Sequence, residues 1–152
     1  MTFITPDQLI DTLTITPALP ESRSRYVEVN AEDELSPIKH LLESIDPDDL
    51  DACAKGALEQ VGLGNDTADC IFGNCPEPGE EPFDGVRIRA LFGGFPPLGQ
   101  VVISHEAFDR LMSRYFAVII PFVKQRYPKI AAEPWWAEFL KDAASIEVRA
   151  HR

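Results

Sequence analysis

One segment limits the possible folds of this chain more than any other. Between Ser104 and Pro128, apolar residues recur at steps of three or four, which places them on one face of an α-helix. Ser104 is a good N-cap, and Pro128 ends the pattern. The face consists of Phe108, Leu111, Met112, Tyr115, Ile119, Phe122 and Val123. We therefore predict a long amphipathic helix that packs one side against a core.

Shorter helices are predicted where a capping residue comes directly before a proline. This pair of signals occurs at Thr5-Pro6, Ser36-Pro37 and Asp46-Pro47. Proline suits the first helical position because its missing N–H would have no partner there. The predicted helices span residues 6–13, 37–45 and 47–61, and a last one starts near Pro134. That last helix is expected to bury one of Trp135 and Trp136, together with Phe139 and Leu140.

The strand signals lie between the helical segments. Residues 86–92 alternate between two faces, and residues 100–103 form a second short strand, so we predict a hairpin with its turn at residues 93–97. Residues 62–84 are predicted as a long acidic loop in which only residues 70–72 could be extended. Residues 14–33 are predicted as loop with a possible strand at 25–29. The order favours an α+β fold, mostly helical with a small antiparallel hairpin or sheet, as one globular domain over residues 1–152.

Charge is distributed unevenly along the chain. The net charge is −11, and residues 28–84 alone hold 16 acidic and two basic side chains. Such a field repels nucleic acid and attracts basic proteins. The odd number of cysteines argues against a disulfide framework, and the sequence contains neither an apolar run of membrane-spanning length nor a secretory signal. We therefore expect a cytoplasmic protein that binds neither nucleic acid nor membrane.

Residues that could carry chemistry do not form a recognised pattern. There is no phosphate-binding glycine loop and no serine in a nucleophile elbow. Cys53, Cys70, Cys75 and His40 lack the spacing of zinc ligands. His105, at a helix start, is more often a surface residue than a general base. The sequence predicts no enzymatic activity, no metal and no cofactor.

A series of short motifs in the C-terminal half is similar to a known family. The motifs are Phe83-Asp84-Gly85-Val86, Val101-Val102-Ile103-Ser104, His105-Glu106-Ala107-Phe108, Leu111, Tyr115 and Tyr127-Pro128. Their order resembles small bacterial immunity proteins of contact-dependent growth inhibition systems, the kind paired with ribonuclease toxins. The resemblance implies a protein that binds a cognate toxin domain and blocks its active site without catalysis.

The charge distribution leads to the same hypothesis independently. A ribonuclease must grip polyanionic RNA, so its cleft is basic, and an inhibitor needs a complementary anionic surface. The predicted partner-binding residues are Asp46, Asp48, Asp49, Asp51, Glu77, Glu80, Glu81 and Asp84. This hypothesis would fail if the carboxylates were scattered evenly over the molecule or locked into pairs with the chain's own arginines. The alternatives are an acidic adaptor or structural protein without catalytic activity, and an enzyme that uses His105 or a carboxylate pair.

Overall fold

The structure, a computed structural model, describes residues 5–21, 25–91 and 99–152. These residues contain five α-helices and six β-strands. The helices are α1 (Pro6–Ile10), α2 (Ser36–Ser44), α3 (Leu50–Glu59), α4 (His105–Arg126) and α5 (Trp136–Ala150). The strands are β1 (Thr14–Pro17), β2 (Val27–Asn30), β3 (Leu63–Gly64), β4 (Ala68–Phe72), β5 (Val86–Ala90) and β6 (Gly99–Ile103). Short 3-10 turns at Asp33–Leu35 and Pro47–Asp49 precede α2 and α3.

The strands form two antiparallel sheets. β3, β4, β5 and β6 pair in chain order, and β1 pairs with β2 separately. Ile88 of β5 lies opposite Cys70 on one side and Val101 on the other. The α+β class is confirmed, and so is the hairpin of β5 and β6. The predicted turn at residues 93–97 lies outside the described residues.

Helix α4 contributes more buried residues to the core than any other described helix, as its apolar pattern predicts. The Ser104 hydroxyl accepts a hydrogen bond from the Ala107 N–H at 3.1 Å, which caps the helix. Phe108, Leu111 and Ile119 are fully buried, and the Phe108 ring meets Phe72 of β4 edge-to-face at 5.2 Å. Helix α2 and the start of α4 cover the inner face of the four-stranded sheet, and one buried cluster extends from Ile10 to Ile146. The outer face of the sheet carries four polar side chains and two apolar ones: Asp69, Arg87, Arg89, Gln100, Ile71 and Val102.

The prediction of a loop over residues 62–84, with an extended piece possible only at 70–72, was wrong for its first half. β3 and β4 occupy its first half, and the connection that remains is the one between Phe72 and Val86. The strand signal was a period of two: Ala68, Cys70 and Phe72 point into the core, while Asp69 points outward. The turn between the two strands is set by Asn65, whose side-chain oxygen accepts the Thr67 N–H at 2.8 Å.

Several predicted boundaries also shift. Residues 14–17 form an edge strand, since a terminal proline is tolerated there, and α1 ends at Ile10 rather than near Leu13. The helix predicted from Pro47 to Val61 begins as a 3-10 turn and ends at Glu59, so Val61 is 57% exposed. In α5, Trp136 and Phe139 are buried and Leu140 is half-buried.

One arginine ties three helices together. Arg149 of α5 donates from Nε and Nη2 to the two carboxylate oxygens of Asp109 in α4, at 2.8 and 2.9 Å. The same guanidinium donates to the carbonyl oxygens of Leu58 and Ala57 at the end of α3. A charged cap of this kind satisfies carbonyls that the end of a helix leaves unpaired. Within the described ranges, no helix combines the length and hydropathy needed to cross a bilayer.

Candidate partner-binding surface

The acidic loop, residues 77–84 with the sequence EPGEEPFD, lies against the outer face of the sheet. Arg87 of β5 donates from Nη1 and Nη2 to the two carboxylate oxygens of Glu80, at 2.7 and 3.0 Å. The Arg87 guanidinium also lies over the Phe83 ring, 4.9 Å from its centroid. Paired hydrogen bonds between a guanidinium and a carboxylate are among the stronger polar contacts in proteins.

A second arginine on the same face binds the other end of this loop. Arg89 donates to both carboxylate oxygens of Asp69 in β4, at 2.9 and 2.7 Å, and to Glu77 at 3.0 Å. Glu77 also lies 3.5 Å from Arg87. Two of the predicted partner-binding residues, Glu77 and Glu80, therefore neutralise arginines of their own chain. Glu81 and Asp84 are exposed and form no ion pair within the part of the chain that is described.

The acidic corner, where α2 leads into α3, is arranged differently. It consists of Asp46, Asp48, Asp49 and Asp51. Asp46 accepts the Asp48 N–H at 2.9 Å and caps the 3-10 turn, whose N-terminal dipole favours carboxylates. Asp46, Asp48 and Asp49 are exposed and Asp51 is half-buried. None of the four forms an ion pair with another described residue. Lys55, one turn after Asp51, pairs instead with Asp142 at 3.3 Å.

A cleft opens beside the acidic corner. Its volume is about 300 Å³, and it is lined by Asp46, Asp49, Ala52, Cys53 and residues 62–65. Burial, and then the nearby Asp49, raise the pKa of the Cys53 thiol to about 12. Cys53 therefore stays protonated near neutral pH and is not an activated nucleophile. A cleft of this size, with two carboxylates on its wall, has room for a single side chain.

Two tyrosines, which no sequence signal marks as a pair, adjoin the acidic corner. Tyr26 and Tyr127 meet edge-to-face with ring centroids 5.7 Å apart, and Tyr127 is 36% exposed. The pKa of Tyr26 is raised, first by its burial and then by the neighbouring Asp46, Tyr127 and Asp48. Tyrosines of this kind offer apolar area and a polar tip to a partner. Tyr127 belongs to a motif of the family resemblance, whereas nothing in the sequence indicated Tyr26.

The two acidic groups lie in different connections of the fold. The acidic corner lies between α2 and α3, while the acidic loop belongs to the connection from β4 to β5. Among the described residues no hydrogen bond or ion pair joins the two groups. The eight predicted partner-binding residues therefore divide into an unengaged corner and a loop that is partly engaged by arginines.

A second cleft contains His105. It measures about 540 Å³ and lies between the start of α4 and the end of α5, and its lining includes Gln60, His105, Glu106, Asp109 and Arg149. Asp109 is held by Arg149, and no serine, threonine or cysteine belongs to the lining residues described for this cleft. His105 Nδ1 is buried without a hydrogen-bond partner, and its ring centroid lies 5.8 Å from that of Phe72. The described lining thus offers a histidine but no hydroxyl or thiol side chain for it to activate.

The cysteines do not assemble a metal site. Cys53 and Cys70 are buried and Cys75 is exposed, and all three are free thiols. Within residues 5–21, 25–91 and 99–152, no group of three or more potential ligands has the geometry to hold a metal ion. Burial is the main cause of the strongly raised pKa of Cys70, which is therefore a small apolar core residue.

Comparison of the chain with protein-family models, with curated proteins and with solved structures found no match.

Proposed function

We propose that this protein binds and neutralises a basic toxin domain, most simply a nuclease, and does so without catalysis. The observation that carries the proposal is the acidic corner: four carboxylates close in sequence and free of ion pairs with described residues. Charges that a fold does not use internally keep their field available to a partner. The proposed surface comprises Asp46, Asp48, Asp49 and Asp51, with Tyr26 and Tyr127 beside them.

The composition of this surface suits a cationic partner. Aromatic side chains supply buried area at the centre of protein interfaces, and charges around them steer encounter and raise the association rate. A guanidinium or ammonium group fits beside a tyrosine ring and a carboxylate together. An inhibitor of a toxin that acts inside the cell gains directly from fast association. Glu81 and Asp84 add to the negative field, whereas Glu77 and Glu80 are left out of the proposed contact surface because Arg87 and Arg89 hold them.

The experiment begins with the product of the neighbouring gene as bait. Its C-terminal domain is produced with this chain, and binding is measured by calorimetry at low and at moderate salt. The test variant is D48N/D49N/D51N, and its matched control is E32Q/D33N/E34Q, which removes the same charge from exposed residues before α2. We expect the corner variant to lose roughly tenfold in affinity, on the basis of about 0.5 kcal/mol for each exposed charge pair. The control is expected to lose less than about threefold.

The remaining outcomes distinguish the competing functions. Equal losses in the two variants would mean that only total charge matters, which is expected of an acidic adaptor rather than an inhibitor with a defined surface. A complex that leaves the nuclease active would likewise favour an adaptor. Failure of the neighbouring product to bind at any salt concentration would count against toxin neutralisation.

A further inference from the structure

The acidic loop differs from the rest of the fold in what holds it in place. None of residues 77–84 is buried, and the most covered apolar side chain among them, Phe83, is only half-buried. The α-helices and the four-stranded sheet, in contrast, all contribute side chains to the buried core. The position of the loop therefore rests on polar contacts, which salt weakens, and much less on apolar burial, which salt does not weaken.

Backbone hydrogen bonds close the base of the loop, and side-chain contacts hold its middle against the sheet. Gly73 donates its N–H to the Gly85 carbonyl at 2.9 Å and accepts the Phe83 N–H at 3.2 Å. Gly85 has φ +98°, and a Cβ there would collide with the carbonyl oxygen of Ile103 in β6. Between these points, the backbone hydrogen bond from Glu80 N–H to the Glu77 carbonyl is internal to the loop. The side chains of Glu77, Glu80 and Phe83 hold the loop against the sheet through Arg87 and Arg89.

Lifting the loop would change the sign of the sheet's outer face. With the loop in place, Glu77 and Glu80 face Arg87 and Arg89 of β5, and Arg89 also faces Asp69 of β4. Three carboxylates then oppose two guanidinium groups. Without Glu77 and Glu80, two guanidinium groups oppose the single carboxylate of Asp69, so the face becomes cationic. Arg87 Nε is buried and has no hydrogen-bond partner even when the loop is down, so the loop does not use all the donors beneath it.

We propose that the acidic loop is an electrostatic latch. It opens as a unit between Gly73 and Gly85 while the core stays folded, its opening is controlled by ionic strength, and it uncovers the cationic strip formed by Arg87 and Arg89. Local opening of this kind needs few buried apolar contacts and a segment whose ends are already close together. This latch is independent of whether the acidic corner binds a toxin.

Two neighbouring glutamates provide a matched pair of variants. Glu80 binds Arg87, whereas Glu81 is exposed and forms no ion pair with any described residue. E80Q and E81Q therefore remove the same charge at adjacent positions of one loop. Amide hydrogen exchange is measured by NMR at the backbone amide of Phe83, whose N–H donates to the Gly73 carbonyl at the base of the closed loop and loses that bond when the loop lifts. Amides in the middle of α4 report on the core.

We expect E80Q to speed exchange at the Phe83 amide by roughly tenfold, whereas E81Q changes it by less than about twofold. In every variant Phe83 should exchange faster than the amides in the middle of α4, because the loop opens while the core stays folded. Raising NaCl from about 0.02 M to about 0.5 M should speed loop exchange in the unmodified chain, because the Debye length falls severalfold. In E77Q/E80Q that salt effect should disappear. Equal exchange in E80Q and E81Q, or a Phe83 amide that exchanges as slowly as those in the middle of α4, would overturn the latch.

Discussion

The acidic corner and the acidic loop have the same number of carboxylates but different uses. Each contributes four acidic residues to the chain. In the loop, Glu77 and Glu80 are bound by arginines that the adjacent strand presents on its outward face. In the corner, no cation of the described chain approaches closely enough to form an ion pair. Negative charge in a sequence therefore does not by itself mark a binding surface.

The difference follows from what lies next to each segment. The loop leads directly into β5, whose alternation points Arg87 and Arg89 outward, so that folding the hairpin brings opposite charges together. The corner leads into α3, whose first turn favours carboxylates and offers no guanidinium among the described residues within ion-pair distance. The carboxylates of the acidic corner repel one another slightly, and a cationic partner would relieve that repulsion. Substitutions in either group should therefore have different consequences.

The largest effect is expected from the arginines. R89M leaves Asp69 without its partner and Glu77 with only its 3.5 Å contact to Arg87. The loss of charged hydrogen bonds should lower the free energy of unfolding by about 2 kcal/mol. The control is R110M, because Arg110 forms only an exposed contact with Asp11 at 3.3 Å, which should contribute less than about 0.5 kcal/mol. Urea unfolding followed by tryptophan fluorescence measures both. Equal losses would mean that Arg89 has no special role.

Neutralising the two acidic groups separately should give different results for stability. E77Q/E80Q breaks the contacts to Arg87 and Arg89 and should lower the urea midpoint. D48N/D49N removes the same charge from the acidic corner and should change stability by no more than about 0.5 kcal/mol. If the corner variant were the less stable of the two, the corner would have an internal structural role that the described contacts lack.

Lowering the pH should weaken the ion pair between Glu80 and Arg87. Hydrogen bonds from the Arg87 guanidinium outweigh partial desolvation and hold the pKa of Glu80 below its ordinary value of 4.5. A lowered pKa in the folded state means that the stabilisation is complete above about pH 4.5 and is lost as pH falls through the folded value. The difference in urea midpoint between the unmodified chain and E80Q should therefore shrink below that pH. A difference that stayed constant down to about pH 3 would contradict the pairing.

Glu43 allows the same dependence of stability on pH to be tested away from both acidic groups. Burial raises the pKa of Glu43, but hydrogen bonds from the Lys39 ammonium at 2.7 Å and the Val29 N–H at 2.9 Å outweigh it, and the net shift is downward. E43Q should cost about 1–2 kcal/mol at neutral pH and progressively less below about pH 4.5. Urea unfolding as a function of pH measures the loss. The loss should not depend on the state of the acidic loop, so E43Q and E80Q should be additive.

The smallest effect concerns the tyrosine beside the acidic corner. Asp46 is one of the charges that raise the pKa of Tyr26, so D46N should lower that pKa while keeping the cap. E80Q, on the acidic loop, should leave it unchanged. Ultraviolet titration of the phenols, with Y26F to assign the signal, measures the shift. No shift in D46N would separate Tyr26 from the corner and weaken the proposed surface.

Much of the fold could be predicted because its signals are local. The apolar spacing from Phe108 to Val123 and the Ser104 cap place α4 within a few residues of its observed bounds. β4 was predicted only as a possible extended piece at residues 70–72, because Asp69 resembles a loop residue and the apolar Ile71 interrupts the alternation of Ala68, Cys70 and Phe72. The tyrosine pair could not be predicted, since Tyr26 and Tyr127 are far apart in the sequence and meet only through tertiary packing.

The sequence by itself determined how much negative charge this protein carries and which segments carry it, because formal charge belongs to each side chain wherever the chain runs. It also determined the helices, whose periodicity is a property of neighbouring residues. Only the tertiary structure decided which carboxylates pair with arginines of the same chain and which remain available to a partner. Coulomb energy depends on distance, and the distances from Glu80 to Arg87 and from Asp46 to any cation exist only after the strands and helices have packed.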